Sequence, residues 1–256
     1  MVSMPRVGLD VHARETTGVV LDPATGELWA ERIVGRPQRA LEWLESLPQP
    51  FRAVYEAGPT GYGLARRARE RGVDVVVCAP GHILRRATDR VKTDRRDAER
   101  LARLLLAGEL RLVRVPTPAE EQLRDLVRGR EDVRCDLMRS RHRVSKFLLR
   151  RELYYPASGK AWTKQHRDWL CSLRFADRCS QLAFTDQLHA HDGLLWRREA
   201  LDRAITEVVD DSPWAGVIGR LRCLRGVDTL TGAGLQAEVC DWQRFSHPKL
   251  VTSYFG

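Results

Sequence analysis

Four carboxylates, Asp10, Glu56, Asp94 and Asp97, have the types and settings that metal-assisted chemistry at a phosphodiester would use. Asp10 closes the apolar run Val7-Gly8-Leu9, and Glu56 closes Ala53-Val54-Tyr55. Both runs read as short buried strands, so each acid projects from a sheet edge or core, where an unpartnered charge is costly. Asp94 and Asp97 are three residues apart in a segment of good helix formers, which sets them on one helical face with Cβ atoms about 5–6 Å apart. Attack on a phosphodiester develops negative charge on the entering and leaving oxygens, and two Mg²⁺ (or Mn²⁺) ions about 3.5–4 Å apart stabilise both. Hard cations of this kind take carboxylate oxygens, and several are needed to balance two divalent charges. The plain alternatives are that Asp94 and Asp97 pair with Arg90, Arg95 or Arg100 on a solvated helix, and that Asp10 is a strand-end turn residue.

The elements that must position these acids follow a definite order. A strand ending at Asp10, residues 16–21, the turn Asp22-Pro23-Ala24-Thr25-Gly26 and residues 28–34 predict an antiparallel meander. Pro37 starts a short helix carrying Leu41, Trp43, Leu44 and Leu47, which Pro48 and Pro50 end. The Glu56 strand, a helix over about 62–71, a strongly apolar strand over 73–78 and the acidic helix complete the series. Three strands, helix, strand, helix, strand, helix is the order of a ribonuclease-H-like α/β domain, in which the first strand, the fourth strand and a late helix bring acids to one edge. Topology and acid placement therefore agree.

At 256 residues the chain is long enough for one large or two modest domains. Its formal charge of +9 favours a polyanionic partner. Of the 43 basic residues five are lysines, Lys92, Lys146, Lys160, Lys164 and Lys249, and the rest are arginines, a bias that bidentate phosphate contact and a GC-rich genome explain about equally well. The six cysteines form no CxxC pair and no Cys/His zinc spacing, and read as reduced thiols. No signal peptide precedes Val7 and no apolar run approaches the roughly 20 residues of a membrane span, so a cytoplasmic protein is expected.

Three segments carry a specific resemblance. Val7-Gly8-Leu9-Asp10-Val11-His12, Tyr55-Glu56-Ala57-Gly58-Pro59-Thr60-Gly61 and Lys92-Thr93-Asp94-Arg95-Arg96-Asp97-Ala98 resemble the signature segments of the DEDD-type insertion-sequence transposases, a family that includes the pilin-gene invertases. The resemblance implies a RuvC-like N-terminal domain with Asp10, Glu56, Asp94 and Asp97 as its catalytic and metal-holding acids. It places Gly58 and Gly61 in the turn after the second acidic strand, with Lys92 and Thr93 ahead of the acidic helix. Read from the residues alone, Gly58-Pro59-Thr60-Gly61 is simply a strong turn.

From Pro118 to Tyr154 the pattern becomes that of one long helix. Leu126, Val133, Ser140 and Phe147 at one seam position and Leu123, Arg130, Leu137 and Val144 at the other give a 3-4 spacing that suits a coiled coil, interrupted by Arg130 and Ser140. The same stretch carries a basic series, from which Arg128, Arg134, Arg141, Arg143, Lys146 and Arg150 are the expected nucleic-acid contacts. A solvated charged face is the ordinary alternative. The resemblance implies that this region also helps form a homo-oligomer, a dimer or tetramer.

Residues 157–211 read as helical, with Trp162, Trp169 and Leu170 as core rather than base-stacking residues. His189 and His191, two positions apart, diverge on a helix and make no metal site with Asp192. Residues 224–235, followed by Ala237-Glu238-Val239, resemble the helix-hairpin-helix-like opening of the family's second domain. Asp228 stands where a GxG hairpin would hold glycine, which leaves phosphate binding and plain packing both open.

The expected organisation is a RuvC-like domain over 1–115, a helical or coiled-coil region over 116–211, and over 212–256 an incomplete, mainly helical C-terminal domain. The family's serine nucleophile is expected beyond Gly256, and neither Ser246 nor Ser253 matches it. The resemblance implies transposition of an insertion sequence, with DNA and a structured guide RNA from the element as partners and recombination impaired without the serine region. Two rival expectations are a metal-dependent junction nuclease and a nucleic-acid-binding module without catalysis.

Overall fold

The computed structural model describes residues 4–80, 93–156 and 160–256. The chain forms two compact units, the first ending at Pro116 and the second beginning at Thr117.

The first unit is built on a six-stranded sheet. Strands β1 (Arg6–Val11), β2 (Glu15–Leu21) and β3 (Leu28–Val34) form the expected antiparallel meander. Its first turn closes through the His12 N–H to the Glu15 carbonyl (2.9 Å), and its second through Asp22, whose carboxylate accepts from the Ala24 N–H (2.8 Å). Helix α1 (Pro37–Ser46) leads into β4 (Arg52–Glu56), parallel to β1, and helix α2 (Gly63–Glu70) into β5 (Val75–Cys78), parallel to β4. Helix α3 (Asp94–Ala107) follows, then the two-residue strand β6 (Leu112–Val113), antiparallel to β5. The strand order β3-β2-β1-β4-β5-β6 is the ribonuclease-H-like arrangement with β6 as a short edge.

Side-chain alternation divides the core between the two faces of this sheet. Val7, Leu9, Ala53, Tyr55 and Val77 face one side, under Leu41 and Leu44 of α1 and Leu64, Ala65 and Ala68 of α2. Val54 and Cys78 face the other, beneath Leu101 and Leu105 of α3. Register neighbours then follow the same rule: Gly8 lies beside Val54, and the next alternate pair toward the strand ends is Asp10 and Glu56.

The second unit is helical. Helix α4 (Pro118–Leu149) opens with a reciprocal cap: Thr117 Oγ1 accepts from the Glu120 N–H (3.3 Å), and Glu120 Oε2 accepts from the Thr117 N–H (2.7 Å). Helix α5 (Lys164–Ser172) and helix α6 (Arg178–Asp210) account for most of the stretch read as helical, separated by a break that Asp177 ends by capping α6. Helices α7 (Ala215–Leu221), α8 (Thr229–Val239) and α9 (Pro248–Phe255) complete it. The α4 seam is filled from within the chain by α6. Phe147 stacks on Phe184 with ring centroids 5.5 Å apart, and Arg130 reaches Asp202 at 2.7 Å, so the two helices run antiparallel. Arg130, a break in the apolar seam, is thus matched by a carboxylate, while Ser140 is simply buried. The regions read apart in the sequence over 116–211 and 212–256 share this unit from Thr117 onward, through α8, which packs on α4 and α6.

Candidate metal centre

Asp10, next to last in β1, and Glu56, last in β4, lie near the ends of adjacent parallel strands and project from the face that α3 covers. Three local features bring α3 to that edge. Thr93 caps it, its Oγ1 accepting from the Arg96 N–H (3.4 Å), so Asp94 and Asp97 occupy the first turn, where the helix dipole favours negative charge. Ala98 and Ala102, both fully buried, face the sheet with almost no side-chain bulk. Beneath them lies Gly8, where a β-carbon would stand 1.9 Å from the Ala98 carbonyl oxygen and 2.7 Å from the Ala102 nitrogen. Small residues on both sides let backbone approach backbone, and this draws the start of α3 over Asp10.

At that edge, one oxygen from each of Asp10 and Asp94 and one ring nitrogen of His12 all lie within 4.8 Å of one another. His12 Nε2 is 3.3 Å from Asp10 Oδ2 and 4.0 Å from Asp94 Oδ1. Burial holds the Asp10 carboxyl above the usual aspartate range, and the Asp94 and Asp97 charges push the same way, while His12 opposes them by charge and hydrogen bond. An acid strained by neighbouring acids gains from a cation placed between them. The donor set, carboxylate oxygens with one imidazole nitrogen, fits a divalent ion.

Of the four acids expected from the sequence, Asp10 and Asp94 meet in this group. Asp97 is close enough for its charge to act on Asp10. Glu56 stands at the neighbouring strand end and is exposed; its charge, after burial, helps push the Cys78 thiol up to about 11. Neither Glu56 nor Asp97 belongs to the tight group. The turn after Glu56 is held by the Gly61 N–H to the Gly58 carbonyl (2.9 Å) and by the buried Tyr55, whose hydroxyl donates to the Gly61 carbonyl (3.0 Å). Arg90 and Lys92 lie outside the described residues.

Sequence reasoning assigned His12 no role. The available signal was its position two residues after Asp10, which sets both side chains on one side of an extended segment.

The six expected nucleic-acid contacts on α4 differ in environment. Arg143 and Lys146, in the C-terminal half of the helix, and Arg150, just past its last residue, are exposed. Arg128 makes a two-pronged pair with Glu238 at 2.9 Å, and Arg134 pairs with Glu131 one turn back at 2.7 Å. Arg141 is half-buried, its guanidinium 5.3 Å from the Trp162 ring centre. In the hairpin between α7 and α8, Gly226 takes a positive φ of 86° and Asp228 Oδ1 accepts from the Thr231 N–H (2.7 Å). The residue in the glycine position is therefore the N-cap of α8, and its carboxylate occupies the amide site that a phosphate would use. His191 is buried against Trp162, ring centroids 4.7 Å apart, and is a core histidine.

Among the described residues no helix is long and apolar enough to cross a membrane. The transposase family of the DEDD, IS110 type matches residues 7–152. The transposase of insertion sequence element IS1533 from Leptospira borgpetersenii is 34% identical over 97% of this chain and 73% of its own length. A Sinorhizobium fredii protein, y4qE, provisionally assigned as a transposase, is 38% identical over 98% of this chain and 62% of its own length.

Proposed function

The chain belongs to the IS110-type DEDD transposase family, and on that premise we propose that it acts in recombination of an insertion sequence through a divalent-metal site formed by Asp10, Glu56, Asp94 and Asp97. The family implies DNA as a partner and divalent-metal use. The observation that carries the reading is the convergence of Asp10 and Asp94, from the first strand and a late helix, on a charged group at one sheet edge.

In this reading Asp10 and Asp94 bind the ion, Asp97 adds negative charge from the same helical turn, and Glu56 flanks it from the next strand. When bound at this edge, Mg²⁺ or Mn²⁺ would supply Lewis-acid stabilisation of charge on phosphodiester oxygens. The Gly8 contact with α3 fixes the spacing of the acids, since carboxylates held close before the ion arrives lose little freedom on binding it. Arg143, Lys146 and Arg150 offer phosphate contacts that orient the nucleic acid without reading its sequence. A structured RNA of the element and a second copy of the chain are the further partners proposed. Ser246 and Ser253 have no role in this scheme.

The test uses the purified chain with supercoiled and branched DNA in Mg²⁺ or Mn²⁺, with and without the element's RNA, beside Asp10→Ala and Asp94→Ala. Metal-dependent cleavage that both substitutions remove supports the proposal. Steeply salt-dependent binding with no metal effect on DNA would favour the reading as a binding module without catalysis.

A further inference from the structure

We propose that His12 is itself a metal ligand of this edge and biases it toward Mn²⁺ over Mg²⁺, an inference that rests on the metal-site reading above. His12 follows the last residue of β1, where its own N–H is held by the Glu15 carbonyl at 2.9 Å, so the residue that carries the imidazole is anchored by the hairpin. Its Nε2 faces two carboxylates at once, 3.3 Å from Asp10 and 4.0 Å from Asp94. The ring nitrogen thus stands beside both of the acids that the site reading assigns to the ion. Adjacent ligand atoms on an octahedral ion with bonds of about 2.1 Å stand roughly 3 Å apart, so donors that all lie within 4.8 Å of one another close on one ion by moving inward by up to about 2 Å.

The chemistry of the third donor decides which ion is favoured. Both ions favour carboxylate oxygens, but Mg²⁺ gives up its waters reluctantly, whereas Mn²⁺, a first-row transition ion, binds an imidazole nitrogen more readily than Mg²⁺ does. Asp10 and Asp94 alone would serve both ions; His12 adds a bond that Mn²⁺ gains and Mg²⁺ forgoes. The imidazole is half exposed, so replacing it leaves the core of the first unit untouched.

The experiment is Mn²⁺ binding to the intact chain followed by electron paramagnetic resonance, with pulsed detection of nitrogen coupling and with Mg²⁺ as competitor. It is applied to the wild type, His12→Ser, His12→Asn and Asp94→Asn, each checked for folding by circular dichroism. The expected result is an imidazole nitrogen coupling in the wild type that both His12 variants lose, with a fall of roughly tenfold in the preference for Mn²⁺ over Mg²⁺. Asp94→Asn is expected to lose tight Mn²⁺ binding altogether. Loss of binding in Asp94→Asn, with no nitrogen coupling in the wild type or an unchanged Mn²⁺ preference in the His12 variants, would overturn the role of His12 and leave the acidic site standing. Mn²⁺ binding in Asp94→Asn equal to wild type would overturn the site itself.

Discussion

Gly8 and Ala98 approach so closely that a β-carbon added to Gly8 would stand 1.9 Å from the Ala98 carbonyl oxygen. The contact is between β1 and α3, the two elements that bear Asp10 and Asp94, so the packing of the first unit and the spacing of its acids are one geometric fact. Gly8→Ala cannot be absorbed by rotating a side chain, because the obstacle is backbone. We expect a loss of about 3 kcal/mol or more in stability, beyond ordinary overpacking, measured by urea unfolding. The same variant should lose Mn²⁺ affinity under conditions where it remains folded, because α3 must lift to make room.

Asp10→Asn should stabilise the metal-free protein while weakening metal binding. Burial and the charges of Asp94 and Asp97 hold the Asp10 carboxyl above the usual range, so its ionised form costs the fold. An acid with a raised folded pKa makes stability fall as pH rises through its titration, and removing the charge removes that loss. Solvent reaches part of the site, so the expected gain in Tm near pH 7 is small, no more than about 2–4 °C. Thermal unfolding with chelator and with added Mn²⁺ should rank the two proteins in opposite orders.

Replacing Arg143, Lys146 and Arg150 together with glutamine should weaken binding to duplex DNA of any sequence and flatten its salt dependence. Each phosphate that is no longer neutralised lowers the slope of log affinity against log salt by about 0.9, so the triple change removes up to about 2.7. Arg134→Gln should matter less, since that guanidinium is engaged by Glu131. Equal slopes for wild type and triple variant would dismiss this face as a phosphate track.

The second unit should lose stability as pH falls below about 6.5, the ordinary histidine range. Burial lowers the pKa of His166, which lies against Tyr155, Trp162 and Trp169. Burial also lowers that of His191, with the Asp192 contact opposing and Arg141 and Arg167 adding to the fall. A base with a depressed folded pKa is protonated more readily when unfolded, so stability is present above the unfolded value and drains away as pH drops toward the folded one. Tryptophan fluorescence melts between pH 7.5 and 5.5 should show a fall on the order of 2–4 °C that His166→Phe/His191→Phe reduces.

Much of the first unit was legible in the sequence because its strands are short apolar runs ended by acids and strong turns. The meander, the Glu56 strand and the acidic helix follow directly from Val7 to Gly61 and from Thr93 to Ala107. Strand β6, only Leu112 and Val113, is too short to carry a period, and its pairing with β5 is a tertiary event. The long helix α4 was plain from its spacing, whereas its partner was not, since a heptad seam does not say whether its other half lies in the same chain. Phe184 and Asp202 on α6 answer that here. His12 was overlooked because a lone histidine after a strand has no signature until α3 brings Asp94 to within 4.0 Å of it. Asp228 leaves phosphate binding and plain packing both open in the sequence, although a carboxylate three residues before a helix N–H is also the mark of a cap.

The central claim is that Asp10 and Asp94 serve one metal-dependent reaction at one site. The measurement that tests it most directly is the rate of Mn²⁺-dependent DNA cleavage by the wild type, Asp10→Asn, Asp94→Asn and the double variant. If both acids hold the same ion, each single change lowers the rate by at least about 100-fold and the double variant falls little further, as expected of groups that act as a unit. Cleavage retained in either single variant, or losses that multiply in the double, would contradict a shared site.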